Sequence, residues 1–224
     1  KDSKQILIYY NQKISLTITG IGKVNTAIGV TQTYYYFNQK TDNIWINIGL
    51  AGHKDIKIGN ICSVSKISDN ESNKNFFPFI NGFEIRLEEC ITVGIQKKSY
   101  GSKVYDMESS GFFQSACKYS SKELLYILKI ISDNQNESID FKNKEDVYRL
   151  IINHKKLIDD LCLFLLKLKN KMYPIRKEII DYELNKLFGR IEFTFTEREQ
   201  IKALLGLYFT KYDSFQDNIL NFSK

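Results

Sequence analysis

The spacing of apolar residues changes along the first third of the chain from every second position to helical intervals. Ile14, Leu16 and Ile18 alternate with Ser15, Thr17 and Thr19, the period-2 pattern of a strand with one polar face. Preceded by "QILIYY" (5–10) and the turn-forming Asn11 and Gln12, this predicts a pair of strands. After "GIGK" the apolar positions Val24, Ala27, Ile28, Thr31, Tyr34 and Tyr35 fit one face of a helix. "NIWINIGL" (43–50) is almost continuously apolar, which predicts a strand buried on both faces. "NICSVSKI" (60–67), "FEIRLEECITVG" (83–94) and "ELLYILKIIS" (123–132) predict further strands, and a helix opens at "MESSGFF" (107–113). The stretch 68–82, polar and then bearing Pro78 and Gly82, reads as a loop.

From residue 143 onward the pattern is helical. Val147, Ile151, His154, Ile158, Leu161, Leu165, Leu168 and Met172 form one apolar stripe, with Asn143 and Asp146 placed as a cap. This predicts one helix over about 144–172, closing the domain. "YPIRK" ends it, a second helix is expected over about 176–188, and a third begins at Thr196, with Glu199 completing a capping box. Strands alternating with helices, followed by helices only, predict an α/β core with a mixed central sheet flanked by helices over residues 1–142. Residues 143–224 are expected to form an additional all-helical C-terminal region. Its aromatic residues Tyr173, Phe188, Phe193, Phe195 and Tyr208 would be free to meet a second copy or a partner protein.

Composition narrows the class. In 224 residues, 43% are hydrophobic and 26% charged, as in an ordinary globular protein rather than a disordered one. The net charge of +6 is spread evenly, with 16 basic and 14 acidic residues in 1–140 and 16 and 12 in 141–224. Without a basic tail or arginine stripe, neither nucleic acid nor an anionic membrane surface is the expected partner. No apolar run approaches the roughly 18 residues that span a bilayer. Cys62, Cys90, Cys117 and Cys162 stand singly, outside any metal-ligand spacing, and are expected to be reduced thiols. With no charged-then-apolar leader, a cytoplasmic location is the expectation.

Three segments could carry chemistry. "TGIGKVNTA" (19–27) sets Gly20 and Gly22 between a strand and a helix, which suits either a plain tight turn or an anion against backbone amides. It has neither Walker spacing nor the third glycine of a dinucleotide fingerprint. In "NIGLAGHKDIKIGNICSVSK" (47–66), Gly49 and Gly52 end a buried strand and Gly59 precedes the next. Again the choice lies between turn chemistry and a sheet end kept bare for a flat ligand. Glu108, at a helix start, and Asp133, after a strand, each read either as a helix-capping acid or as a site acid at the strand ends where open α/β sheets bind ligands.

Taken in order, "GIGKVNTA", "NIGLAG…KIGNICSVSKISD", "YDMESSGFFQSA" and "ILKIISDN" resemble the superfamily of purine nucleoside phosphorylases and methylthioadenosine/S-adenosylhomocysteine nucleosidases. The likeness covers about residues 13–140, and "DMES" with "SDN" is its specific part. It implies a nucleoside phosphorylase-like fold that binds a purine nucleoside or thionucleoside and breaks its N-glycosidic bond without metal or cofactor. By the resemblance, Met107 lies against the ribose and Glu108 accepts from its hydroxyls, a match for an acceptor-only carboxylate. Asp133 is implied as the catalytic acid at purine N7, with Ser132 positioning it. Gly22, Ala51 and Gly52 fall on the family's substrate-binding turns. Phe112 and Phe113 read as core residues.

The chain departs from the family in three places. The usual first strand, whose loop activates water or helps hold phosphate, is expected upstream of Lys1 or dispensed with. "GLAGHKD" puts Leu50 and His53 where the family has small residues and a second glycine. "IQKKSYGSK" (95–103), with Lys97, Lys98 and Tyr100, replaces a longer segment whose aromatic residue covers the base. His53 could touch a ligand, His154 belongs to the apolar stripe, and Arg86 is better placed for an ion pair than for phosphate. Lacking a set of phosphate-binding arginines, the chain is expected to be a nucleosidase rather than a phosphorylase. The alternative is a non-catalytic nucleoside-binding or accessory protein on a degenerate nucleosidase fold. Superfamily members commonly pair, so the resemblance also implies a homodimer.

Overall fold

The structure, a computed structural model, describes residues 6–11, 13–37, 43–97, 99–172, 184–185, 188–189 and 192–211. The chain divides into two compact units, Lys1–Leu165 and Leu166–Lys224. The first begins with a hairpin of β1 (Leu7–Tyr10) and β2 (Ser15–Ile18), registered Leu7 to Ile18 and Tyr10 to Ser15. Its turn is held by Asn11, whose Oδ1 accepts from the amides of Lys13 and Ile14 at 2.8 and 2.9 Å, as an Asx turn does. Helix α1 (Lys23–Tyr36) starts after Gly22, whose φ of 100° a residue with a Cβ would adopt only under strain.

Six strands form the main sheet: β3 (Trp45–Gly52), β4 (Ile61–Asp69), β5 (Asn75–Phe76), β6 (Leu87–Thr92), β7 (Val104–Asp106) and β8 (Leu125–Asp133). Their order is β5–β4–β6–β7–β3–β8, and β8 also returns to pair with β4 through Ile61–Ile130, Cys62–Lys129 and Ser63–Leu128. Strands β4, β6, β7, β3 and β8 therefore close on themselves. The sheet is mixed, as the alternation of elements predicts: β3–β8, β4–β6 and β6–β7 run parallel, β3–β7 and β4–β8 antiparallel. Helix α2 (Ser109–Ala116) packs against α1 and the sheet. Phe112 and Phe113, as expected, join Ile67, Cys90, Val104 and Ile127 in the core.

Strands β3, β6 and β7 differ from the expectation, and β5 lies within the stretch 68–82 expected to be a loop. Strand β3 is only partly buried before Ala51, with Ile48 36% exposed, because β7 reaches it at a single pair, Gly52–Tyr105, and leaves its earlier edge uncovered. The strand buried at every position is β8. Strand β6 runs over Leu87–Thr92 rather than 83–94, and the three-residue β7 was not readable as a strand.

The single helix expected over 144–172 is two, α3 (Lys144–Ile152) and α4 (Lys155–Met172). Between them His154 turns its Nε2 to the Gly59 carbonyl at 2.7 Å, a polar contact the continuous stripe could not make. Asn143 caps α3 by accepting from the Glu145 amide at 3.1 Å. The buried face runs through Leu150, Leu161 and Leu165, with Ile151 left exposed. Phe164 on α4 meets Phe83, which in turn meets Tyr126 of β8.

In the second unit, α5 (Phe195–Lys211) is capped by Thr194 and Glu197 rather than by Thr196 and Glu199. The Thr194 amide donates to Glu197 Oε2 at 2.8 Å, and the Glu197 amide returns a bond to Thr194 Oγ1 at 3.4 Å. Two overlapping Thr-x-x-Glu frames exist, and the earlier is used. Phe188 and Phe193 pack on each other while Phe195 is exposed. The helix expected over 176–188, and with it Tyr173, lies largely outside the described residues, as does the side chain of Tyr208.

Candidate functional site

The link from β7 to α2 is "DMES", and its first acid carries the capping. Asp106 accepts from the Ser109 amide at 2.8 Å, from Ser109 Oγ at 2.6 Å and from Thr92 Oγ1 at 2.8 Å. It thus satisfies the α2 N-terminus and frees Glu108 from that task. The Glu108 side chain makes no cap bond. Its Oε1 instead accepts from the Gly22 amide at 3.0 Å, and its Oε2 from the Met107 amide at 3.4 Å. The capping reading of Glu108 is therefore corrected in favour of Asp106. Gly22, Met107 and Glu108 come together here, with Glu108 17% exposed.

Beneath them lies a residue that the sequence reading missed. Lys129, midway along β8, is fully buried, with Nζ 2.7 Å from Asp106 Oδ2 and 3.8 Å from Glu108 Oε2. At 2.7 Å the Asp106 contact is a close, buried ion pair. Burial alone would lower the Lys129 pKa, but the charges of Asp106 and Glu108 outweigh it and hold it above the ordinary value. Burial likewise opposes ionisation of Asp106, and Lys129 overrides it, leaving that carboxyl below its usual range. A lone cation inside "LLYILKIISD" was the available signal, since a fully buried lysine needs a counter-charge. A Cβ on Gly49 would lie 2.8 Å from Lys129 Nζ, so the glycine on the neighbouring strand makes room for the ammonium.

Gly22 is fixed in place by a second set of charges. Lys23 Nζ reaches Asp69 at 3.1 Å and Glu71 at 2.5 Å, while buried Asp69 also accepts from Ser110 Oγ on α2 at 2.6 Å. Burial opposes its charge, but the bonds from Ser110, the Ser72 amide and Lys23 hold Asp69 well below the usual carboxylate range. Where the helices cross, a Cβ on Gly111 would lie 2.7 Å from Lys23 Cα. The glycine thus lets α1 and α2 approach until the Gly22 amide meets Glu108.

Asp133 ends β8. Opposite the step from Ala51 to Gly52 the ladder advances from Ile131 to Asp133, so Ser132 is the extra residue of a bulge, a feature that re-aims side chains. Ser132 Oγ donates to Asp133 Oδ1 at 2.7 Å and also lies 3.3 Å from the Ala51 carbonyl. Gly52 is bridged to Asp133 on one side and to Tyr105 on the other. Ala51, Gly52, Ser132 and Asp133 are thus brought together. The other Asp133 oxygen, Oδ2, accepts from the Tyr100 hydroxyl. Asp133 faces an open cavity of about 530 Å³ with Tyr100, Lys97, Asn134 and Glu137. Glu108 does not line that cavity; the Lys129 it approaches lies four positions before Asp133 on β8.

The remaining candidates have structural partners. His53 is buried, and its Nδ1 accepts from the amides of Asp55 and Ile56 at 3.0 and 3.1 Å, closing the turn after β3. Arg86 pairs with Glu88 at 2.6 Å. The four cysteines are free, and burial pushes the Cys62 thiol up to about 12. Among the described residues no group of His, Cys, Asp and Glu could hold a metal ion, and no helix is long and apolar enough to cross a membrane.

A mixed, closed sheet with helices packed on it and acids at its strand ends is the nucleoside phosphorylase-type fold that the sequence resemblance implied. No family model and no curated protein matches the sequence. Solved structures similar in fold include the MTAN of Chlamydia trachomatis, 13% identical, with a TM-score of 0.50 over 71% of this chain and 86% of that one. Another is the 5'-methylthioadenosine nucleosidase of Arabidopsis thaliana, 14% identical, TM-score 0.49, covering 69% and 72% of the two chains. A third is the 5'-methylthioadenosine/S-adenosylhomocysteine nucleosidase of Neisseria meningitidis in complex with methylthio-immucillin-A, 15% identical, TM-score 0.43, covering 59% and 78%. At these identities the likeness is one of fold.

Proposed function

We propose that this protein binds a purine nucleoside or thionucleoside along the β8 strand end and hydrolyses its N-glycosidic bond. Glu108 accepts from the ribose hydroxyls, with Met107 against the sugar. Asp133 donates a proton to N7 as the C1′–N9 bond breaks and its electron pair leaves with the base. Water adds to the cationic C1′ and its released proton restores Asp133 to its acid form, so the products are free purine and free sugar. A donor at N7 acts where charge develops, which is where a fixed polar group lowers the barrier most. The observation that carries this reading is Glu108: a carboxylate relieved of capping by Asp106 and held toward the Gly22 turn above a buried ammonium.

Hydrolysis is favoured over phosphorolysis on charge. Asp106, Glu108 and Lys129 sum to −1, so their centre repels a phosphate dianion. Incubation with methylthioadenosine, adenosine and inosine, with and without phosphate, is expected to release free base in a phosphate-independent way. Asp133→Asn is expected to lower turnover by about 10²-fold or more, the scale of a lost proton transfer; unchanged turnover removes Asp133 from the mechanism. The Tyr100 hydroxyl on Asp133 favours a second reading, a nucleoside binder without turnover. Ligand-induced thermal stabilisation with no base release would establish that reading instead.

A further inference from the structure

We propose that Tyr100 is a built-in occupant of the shelf where a flat heteroaromatic base would lie, so that the protein blocks its own site until this side chain swings aside. This rests on the reading of Asp133 as the group that meets the base. A purine lying at Asp133 once N7 has taken its proton would need two things: bare backbone to lie on, and an acceptor for the N7–H. Tyr100 takes both. A Cβ on Gly52 would fall 2.7 Å from the Tyr100 hydroxyl oxygen, so the ring covers the stretch of strand that lacks a side chain. Its hydroxyl donates to Asp133 Oδ2, and Ser132 holds the other oxygen. The ring also meets Tyr105, with centroids 5.5 Å apart and planes tilted by 46°. A planar ring on a glycine, tilted against an aromatic and donating to a carboxylate, makes the kinds of contact expected of a purine with a protonated edge nitrogen.

Tyr100 is also able to leave. It lies outside the hydrophobic core, is half-buried, and lines the open cavity beyond Asp133, so the ring has space to turn into. Its hydroxyl already lies 3.0 Å from the Lys97 carbonyl, an acceptor that is independent of Asp133. Burial, then the hydrogen bond and charge of Asp133, hold the phenol above its ordinary pKa, so it remains a neutral donor at physiological pH. A tethered occupant reduces apparent ligand affinity by the fraction of time the shelf is free.

The test uses the full chain, with free adenine and p-cresol as probes. Tyr100→Ala removes the occupant, and p-cresol restores the missing side chain as a small molecule. The expectation is that p-cresol stabilises Tyr100→Ala against heat and leaves the wild type unmoved, and that adenine binds the variant about tenfold or more tightly than the wild type by calorimetry. If p-cresol stabilises the variant alone but adenine binds neither protein, Tyr100 stands as the occupant and the purine reading falls. If p-cresol treats both proteins alike, the proposal is overturned whatever adenine does. Should Tyr100→Ala not fold, Tyr100→Leu is measured in the same way. Failure of both to fold also overturns the proposal, since it makes Tyr100 a structural residue.

Discussion

Lys129 shows how one side chain organises a site it was not expected to belong to. Removing one member of a buried ion pair leaves an uncompensated charge and costs about 3–5 kcal/mol, whereas removing both costs far less. Lys129→Met is therefore expected to lower the melting temperature sharply, and Lys129→Met/Asp106→Asn to recover part of the loss. The pH dependence follows from the two shifts. The depressed Asp106 contributes stability that is complete above its unfolded pKa near 3.9 and disappears as pH falls through its folded value. The raised Lys129 contributes stability complete below about 10.4, lost as pH rises through its folded value. The pair's contribution is thus full and constant between roughly pH 5 and 9, where thermal melts should show no pH dependence from it, and Asp106→Asn should flatten the acid limb.

The residue scale also shows what could be read in advance. Glu108 and Asp133 could be singled out as candidates because each is an acid at a helix start or strand end, in "DMES" and "SDN". Their partners could not. Nothing local says that Asp106 rather than Glu108 closes α2, since both stand within one turn of its start. Nor does anything local link Lys129 to acids more than 20 positions upstream.

At the level of elements, the approach of α1 to α2 depends on Gly111. A methyl group there meets the Lys23 backbone, and overpacking of this kind costs about 1–3 kcal/mol, more than the gain of up to about 1 kcal/mol from helix propensity. Gly111→Ala is expected to destabilise the protein and to lengthen the Gly22–Glu108 contact, measurable as a lower melting temperature with weaker nucleoside binding. At α5, Thr194→Ala should cost about 1 kcal/mol and Thr196→Ala almost nothing, as read from hydrogen exchange in the first turn. Both Thr-x-x-Glu frames were visible, but the choice depends on where the preceding chain enters the helix. The break at His154 was illegible for a similar reason: its partner, the Gly59 carbonyl, is 95 positions away.

At the scale of the molecule, alternating strands and helices were enough to predict a mixed sheet, because each element's period reflects which of its faces is covered. Closure of the sheet was not, since pairing of β8 with both β3 and β4 is a property of register rather than pattern. Doubly paired and buried throughout, β8 is expected to exchange its amide hydrogens only on global unfolding. The β1–β2 hairpin, with Leu7, Tyr9, Leu16 and Ile18 more than half exposed, should exchange by local opening. Equal protection in the two would contradict this division of stability.

That rigid strand has a further consequence. Lys129, which approaches the Glu108 carboxylate, and Asp133 lie four positions apart on this one strand, with the Ser132 bulge between them. No loop motion can stretch or shorten that interval. On the proposed reading it would act as a fixed gauge, so that molecules too short to reach from one acid to the other would be turned away by length and bulkier ones would carry their excess off to the side.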